Sequence, residues 1–235
     1  MIILENISKH YGKNNVLKDI NLEIKESESV AFLGANGSGK TTLVEIISGV
    51  LKPSSGKVMF VNNKHEKVKK TIGVQFQDGY WPSGTTPMDL IKFYKGRGYL
   101  ETDEGQKLID VFELKNLLKK EISALSGGQR QRFNCFLSIL NDPEILVLDE
   151  LVTGLDLKMQ IKLVNFLKGW KEEKKINLLI VSHTPEEVEL LCDRVLLLKD
   201  GEIYSDQSIT EIIKNNGSLR KMLVNYFKDV VGYEA

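Results

Sequence analysis

An α/β fold with a mostly parallel, helix-covered sheet is predicted by three features of this 235-residue chain. Short, continuously apolar runs such as Val30-Ala31-Phe32-Leu33 and Ile145-Leu146-Val147-Leu148 have the character of strands covered on both faces. Segments of helical spacing separate these runs, as crossover helices in a parallel sheet require. The glycine-rich stretch Gly34-Ala35-Asn36-Gly37-Ser38-Gly39-Lys40-Thr41-Thr42 joins the first run to a helical pattern through Leu43, Ile46 and Ile47.

That stretch has the glycine, lysine and threonine spacing of a phosphate-binding loop, in the strand-loop-helix setting the pattern needs. Its glycines let successive N–H groups converge on one anion. The helix start near Gly39 adds unpaired amides and a positive dipole end. In this chemistry Lys40 reaches the β- and γ-phosphates and the Thr41 hydroxyl holds Mg²⁺. The implied ligand is a nucleoside triphosphate.

Composition narrows the setting. Thirty-two basic and 32 acidic residues leave no net charge, so bulk nucleic-acid binding is not expected. Lys64, Lys67, Lys69 and Lys70 read as a solvated hairpin. No apolar run approaches the ~20 residues that span a bilayer, and the first residues lack the character of a signal peptide. Cys135 and Cys192 fall in helical patterns and read as small apolar residues in a reducing cytosol.

Taken in order, alternation through Ile3, Glu5, Ile7 and Lys9 predicts a strand. A turn at Gly12-Lys13-Asn14-Asn15 leads to a second strand from Val16 to Ile24. Tyr11 at that turn is either a strand-end aromatic or a stacking platform for a base. Strands follow over residues 57–61 and 71–76. Thr86-Pro87-Met88-Asp89 is a helix start, and further helical pattern runs from Thr102 to Phe112. With no buried-type strand before Ile145, residues of about 80–140 read as an inserted helical lobe. Residues 1–79 and 141–235 form the rest of a single domain.

Ser126-Gly127-Gly128 opens a helix with Phe133, Phe136, Leu137 and Leu140 on one face. After the strand ending in Asp149-Glu150 comes a helix carrying Leu163, Phe166, Leu167 and Trp170, and then a strand over residues 177–183. Thr184-Pro185-Glu186-Glu187 reads as a complete capping box, and Asp200-Gly201 as a hairpin turn. The tail sets Leu219, Leu223, Tyr226, Phe227 and Val230 on one helical face, suited to packing on the body.

Four features downstream of the phosphate loop specify its chemistry. Leu125-Ser126-Gly127-Gly128-Gln129 is a second glycine-bearing helix start, suited to a second phosphate contact. Asp149 ends an apolar strand, where it can organise Mg²⁺ through water. Glu150 beside it can orient an attacking water. His183 ends a neighbouring strand, where it can meet a γ-phosphate. His10 and His65 read as incidental.

In this order and spacing, the motifs resemble the ATP-binding subunit of an ABC transporter over essentially the whole chain. Residues 34–41 match the Walker A loop, Gln77 the Q-loop, and residues 125–129 the signature motif. Residues 145–150 match Walker B, Gly154-Leu155-Asp156 the D-loop, and His183 the switch histidine. The resemblance implies a P-loop NTPase, RecA-like core with an N-terminal antiparallel β subdomain and the inserted helical lobe.

It also implies the site. Tyr11 and Val16 lie at the adenine side, and residues 34–42 hold ATP. Thr41 and Gln77 ligand Mg²⁺, with Asp149 acting through water. Glu150 is the catalytic base, assisted by Gln77 and His183. Ser126, Gly127, Gly128, Gln129 and Asp156 act in trans on ATP bound to a second subunit. Cofactors are ATP and Mg²⁺. Partners are transmembrane permease subunits and a second ATP-binding subunit, identical or paralogous. The location implied is cytoplasmic, peripheral on the inner face of the membrane.

Two departures from the family pattern stand out. Leu151-Val152 replaces the usual Pro-Thr or Pro-Ser after Glu150, removing a residue that fixes φ. Ser27 stands where glycine is common, and carries strain if that turn needs φ > 0. The run Arg132-Phe133-Asn134-Cys135-Phe136-Leu137 looks more like drug- or peptide-exporter subunits than importers. Tyr80-Trp81-Pro82 falls where the family receives its membrane partner; burial in the helical lobe is the alternative. The competing functions are an importer subunit, a soluble ABC ATPase unconnected with transport, and a P-loop kinase, which has no use for residues 125–129.

Overall fold

The computed structural model describes residues 1–62, 69–75 and 81–231, with side chains to residue 228. The chain divides into one unit of Met1–Lys69 with Asn177–Ala235, and a second of Lys70–Ile176.

In the first unit, β1 (Ile2–Tyr11) lies between β2 (Asn14–Ile24) and β4 (Ser55–Phe60) in an antiparallel sheet. Alternating residues Ile2, Leu4 and Ile7 face Leu22 and Ile24 in the buried layer. Three register shifts in the β1–β2 pairing accompany positive φ at Asn6 (51°) and Asp19 (48°), as bulges do. The second sheet of this unit is mainly parallel. β3 (Ser29–Leu33) pairs in parallel with β7 (Asn177–Val181) on one side and β8 (Arg194–Lys199) on the other. All residues of β3 and β7 are buried, which is why both read as unbroken apolar runs. β9 (Glu202–Ser208) closes the edge antiparallel to β8, with Asp200 (φ 51°) and Gly201 (φ 83°) at the turn.

Helix α1 (Lys40–Ile47) leaves β3 through the glycine-rich loop, burying Leu43, Val44, Ile46 and Ile47. Asn177 Nδ2 donates to the carbonyls of Lys25 (2.6 Å) and Glu28 (3.1 Å), fastening the turn before β3 to β7. Ser27 in that turn has φ 58°, the strained conformation its sequence position suggested. The C-terminal helices α7 (Ile209–Asn216) and α8 (Leu219–Val231) pack on each other, and α8 also packs on α6 (Pro185–Leu191). The tail thus lies on its own unit. Helix α7 was not anticipated, although Ser208 and Glu211 form a capping box at its start.

The second unit is mostly helical. Its parallel strand pair is β5 (Ile72–Gln75) and β6 (Ile145–Asp149). Helix α2 (Pro87–Lys95) starts at Thr86, whose Oγ1 accepts from Asp89 N (3.2 Å) while Asp89 accepts from Thr86 N (3.0 Å). Helices α3 (Asp103–Val111), α4 (Gly127–Ile139) and α5 (Leu157–Lys174) follow. Helix α4 is buried more widely than one stripe. Leu137 is only half-buried, whereas Gln131, Asn134 and Ser138 are buried with Phe133 and Phe136.

The aromatic core of this unit centres on Phe112, fully buried. Its ring meets Phe136 edge-on at 5.8 Å and Phe166 at 5.6 Å. Among the described residues, no helix is long and apolar enough to cross a membrane. Truncating Phe112 removes packing on both sides, so Phe112→Ala is expected to destabilise the protein by about 3–5 kcal/mol. Phe112→Leu should cost much less. Urea denaturation checks this; equal losses for the two variants would contradict a packed aromatic centre.

Candidate functional site

The phosphate loop begins where β3 ends. Gly34 has φ 141°, and a Cβ there would run into the Leu198 carbonyl of β8. Gly39, with φ 101°, caps α1; a Cβ there would lie 2.7 Å from Leu17 Cδ2 and 2.9 Å from the Val16 carbonyl. Both positions therefore need glycine for backbone and for space. The buried Lys40 turns back along the loop, and its Nζ donates to the carbonyls of Gly34 and Ala35, each at 2.9 Å. Ser38 Oγ is buried without a hydrogen-bond partner among the described residues. A lysine ammonium, an orphaned hydroxyl and the amides of a helix start form a donor set suited to a polyphosphate.

Other predicted residues of this unit surround the loop to different degrees. Val16 is close, through its carbonyl at Gly39. Tyr11 is half-exposed and carries Lys9 Nζ 5.0 Å above one face of its ring. A further cleft of about 290 Å³ is lined by Ala35, Asn36, Gly37, Ser38, Lys199, Asp200 and Tyr226. The contribution of Tyr226, from α8, has no sequence signal beyond the apolar face of that helix.

His183 is exposed just past β7. The capping box expected at Thr184 is not formed: Thr184 caps α6 without a side-chain hydrogen bond. Its would-be partner Glu187 turns inward, and Ser182 Oγ donates to Glu187 Oε2 at 2.6 Å. Ser182 Oγ in turn accepts from Thr184 N at 3.0 Å. Ser182 thus takes the role Glu187 would have had in the box, accepting from the Thr184 N–H, and at the buried strand end it gives the carboxylate a donor.

The second unit carries the remaining residues. Ser126 caps α4, its Oγ accepting from Gln129 N (3.3 Å) while Gln129 Oε1 accepts from Ser126 N (3.1 Å). Gly127 and Gly128 form the first turn. Asp149 is buried at the end of β6, and Glu150 follows with φ 55°. Asp156 caps α5, Oδ1 accepting from Met159 N at 2.9 Å. Gln77 and Tyr80 lie outside the described residues, as do Lys64, His65 and Lys67. Leu151 and Val152, the unusual pair, are buried. No group of three or more His, Cys, Asp or Glu that could hold a metal occurs among the described residues.

A cleft of about 490 Å³ in this unit is lined by Ile72, Gly73, Trp81, Tyr94, Asn134 and Leu137, with neighbouring residues. Trp81 Nε1 and Asn134 Oδ1 are buried there without partners among the described residues. Trp81 is therefore neither wholly core nor wholly exposed.

The family description "ABC transporter" matches residues 17–153, more than half of the chain. The chain belongs to the ABC transporter family. It is 37% identical over 217 residues to the spermidine/putrescine import ATP-binding protein PotA of Spiroplasma citri, covering 89% of this chain and 62% of that relative. It therefore spans less than two thirds of that relative's length. It is 30% identical over 225 residues to the linearmycin resistance ATP-binding protein LnrL of Bacillus subtilis, covering 92% of this chain and 72% of that one. A dimeric ATP-binding cassette solved in a post-hydrolysis state with ADP and Pi superposes with a TM-score of 0.76 at 29% identity, covering 88% of this chain and 98% of that chain. The fold is that of the P-loop NTPase cassette, with a separate N-terminal antiparallel sheet.

Glu187 gives this region a pH dependence. Burial pushes its carboxyl up to about 7, against the pull of the Ser182 hydroxyl. Between its ordinary value near 4.5 and about 7, the unfolded chain has released this proton while the native chain keeps it. Stability therefore falls as pH rises through that window, by up to about 3 kcal/mol once above it. Glu187→Gln keeps the shape and removes the titration. From pH 5 to pH 8 the melting temperature of this variant should gain several degrees on the wild type; an unchanged gap would contradict a buried, proton-holding Glu187.

Proposed function

We propose that the chain hydrolyses ATP to drive a transmembrane permease, working as a head-to-tail pair with a second ATP-binding subunit. The observation that carries this reading is the phosphate loop, with its orphaned Ser38 hydroxyl and Lys40 folded along it at the start of α1, in a chain of the ABC transporter family. Lys40 exchanges its loop carbonyls for phosphate oxygens, and residues 34–42 supply the amides. Val16 and Tyr11 meet the adenine.

In the same proposal Glu150 is the general base, and Gln77 and His183 act at the γ-phosphate. Ser126, Gly127, Gly128, Gln129 and Asp156 act on nucleotide held by the other subunit. The donor set fits Mg²⁺. This cation binds through few protein ligands plus phosphate oxygens and water, so the Thr41 hydroxyl and the Gln77 amide, with Asp149 behind a water, suffice without a carboxylate cage. When bound, it neutralises charge on the phosphates.

The membrane partner is the proposed occupant of the cleft at Trp81 and Asn134. Among the described residues its indole N–H and amide oxygen lack partners, which suits a segment carrying both an acceptor and a donor. Such a partner places the chain on the cytoplasmic face of a membrane, as one ABC domain with residues of about 80–140 as its helical lobe. Export is the direction supported by the residues after the signature motif, and the linearmycin resistance relative is compatible with it. The polyamine import relative, at higher identity, supports import.

Lys40→Ala is the direct test of nucleotide binding. Losing an ammonium that hydrogen-bonds phosphate should weaken Mg²⁺-ATP binding on the order of 10- to 100-fold while the circular dichroism spectrum stays that of the wild type. Unchanged affinity in a folded variant would remove the basis of the reading. Co-purification with a multi-spanning membrane protein tests the coupling to transport.

A further inference from the structure

One buried amide joins the signature helix to the turn that carries Glu150. The backbone of Glu150 is left-handed, with φ 55°, a region where a non-glycine residue persists only if its surroundings hold it. Its carbonyl accepts from Thr153 N at 3.3 Å and from Gln131 Nε2 at 2.6 Å. The same Nε2 lies 3.4 Å from the Leu151 carbonyl. Gln131 belongs to α4 and is buried, so little solvent competes for its donor.

A second contact lies one turn back on the same face of α4, three residues away. Gly128 comes so close to the following loop that a Cβ there would be 2.6 Å from the Gly154 carbonyl. From the other end of the loop, Gln160 Nε2 of α5 donates to the carbonyls of Leu155 (2.9 Å) and Val152 (3.4 Å). Neither Leu151 nor Val152 restricts φ as proline does. Side-chain amides from two helices therefore hold the turn of residues 150–155 beside its own main-chain bonds.

We propose that Gln131 is a positioning residue for hydrolysis, holding the Glu150 main chain in its left-handed turn so that the signature helix sets the aim of the carboxylate. The proposal rests on Glu150 being the general base. Helix α4 begins at Ser126 and Gly127, the residues proposed to meet the second subunit's nucleotide. A shift of α4 on that engagement reaches Glu150 through the Gln131 amide. Removing the donor leaves the carboxylate present but misaimed.

The test is a double-mutant cycle on the full chain, read as single-turnover ATP hydrolysis at high protein concentration, beside ATP affinity and melting temperature. Gln131→Met keeps the length and loses the donor. It should slow hydrolysis on the order of 10- to 100-fold, with ATP affinity within about twofold, because the phosphate loop is untouched. In a Glu150→Gln background, itself slowed, the same substitution should cause no further loss, since the group it aims is gone. Full activity of Gln131→Met, or losses that multiply in the double variant, would overturn the positioning role. Wild-type hydrolysis by Glu150→Gln alone would instead overturn the assignment of the base, and the proposal with it. Should the methionine variant fail to fold, Gln131→Leu, equally without a donor, serves in its place.

Discussion

Gly34 approaches the Leu198 carbonyl more closely than any residue with a Cβ could, and the position of the phosphate loop depends on that contact. It brings the end of β3 against β8 and starts the loop in a conformation open only to glycine. From there the remaining features have little freedom. Gly39 must clear Leu17 and Val16 before α1 can begin, and Lys40, at the first helical position, is left with the loop carbonyls as its nearest acceptors. The binding chemistry thus follows from a packing constraint between two parallel strands.

A different kind of constraint governs the second unit. There the carboxylate proposed as the base belongs to a left-handed residue, and hydrogen bonds from side chains help to hold that turn. The Gly34 backbone is fixed against the neighbouring strand, whereas the Glu150 turn is bonded to an amide that α4 presents. In the proposed function the two units take different tasks: a cradle for phosphate in the first, and in the second a turn bonded to the signature helix. The departure from proline at Leu151 fits the second task, because the chain there keeps the conformational freedom that proline would remove.

Much of this was legible in the sequence. The apolar runs at residues 30–33 and 145–148 marked buried parallel strands, and Thr86 and Ser126 were readable as caps, because these signals are local. What was missed depended on tertiary context. Thr184 has the spacing of a capping box, yet Ser182 at the strand end outcompetes it for the Glu187 carboxylate. Leu137 has the periodicity of a core residue but borders a cleft, while the polar Gln131 is buried because backbone carbonyls await it. Tyr226 reaches the phosphate loop only through the packing of α8, which no short pattern encodes. Family membership came from the order of the motifs, while the roles assigned to Glu150, His183 and the signature residues remain proposals resting on their match to the family.

The central claim is that neither the phosphate loop nor the signature helix of one chain forms a full hydrolytic site, and that a second copy completes it. Analytical ultracentrifugation of Glu150→Gln with Mg²⁺-ATP addresses this most directly, because ATP that is not cleaved should hold two chains together. The account predicts a dimer that appears only with nucleotide and returns to monomer when Ser126→Arg is added. A Glu150→Gln protein that binds ATP with wild-type affinity yet sediments as a monomer at the highest attainable concentration would contradict it.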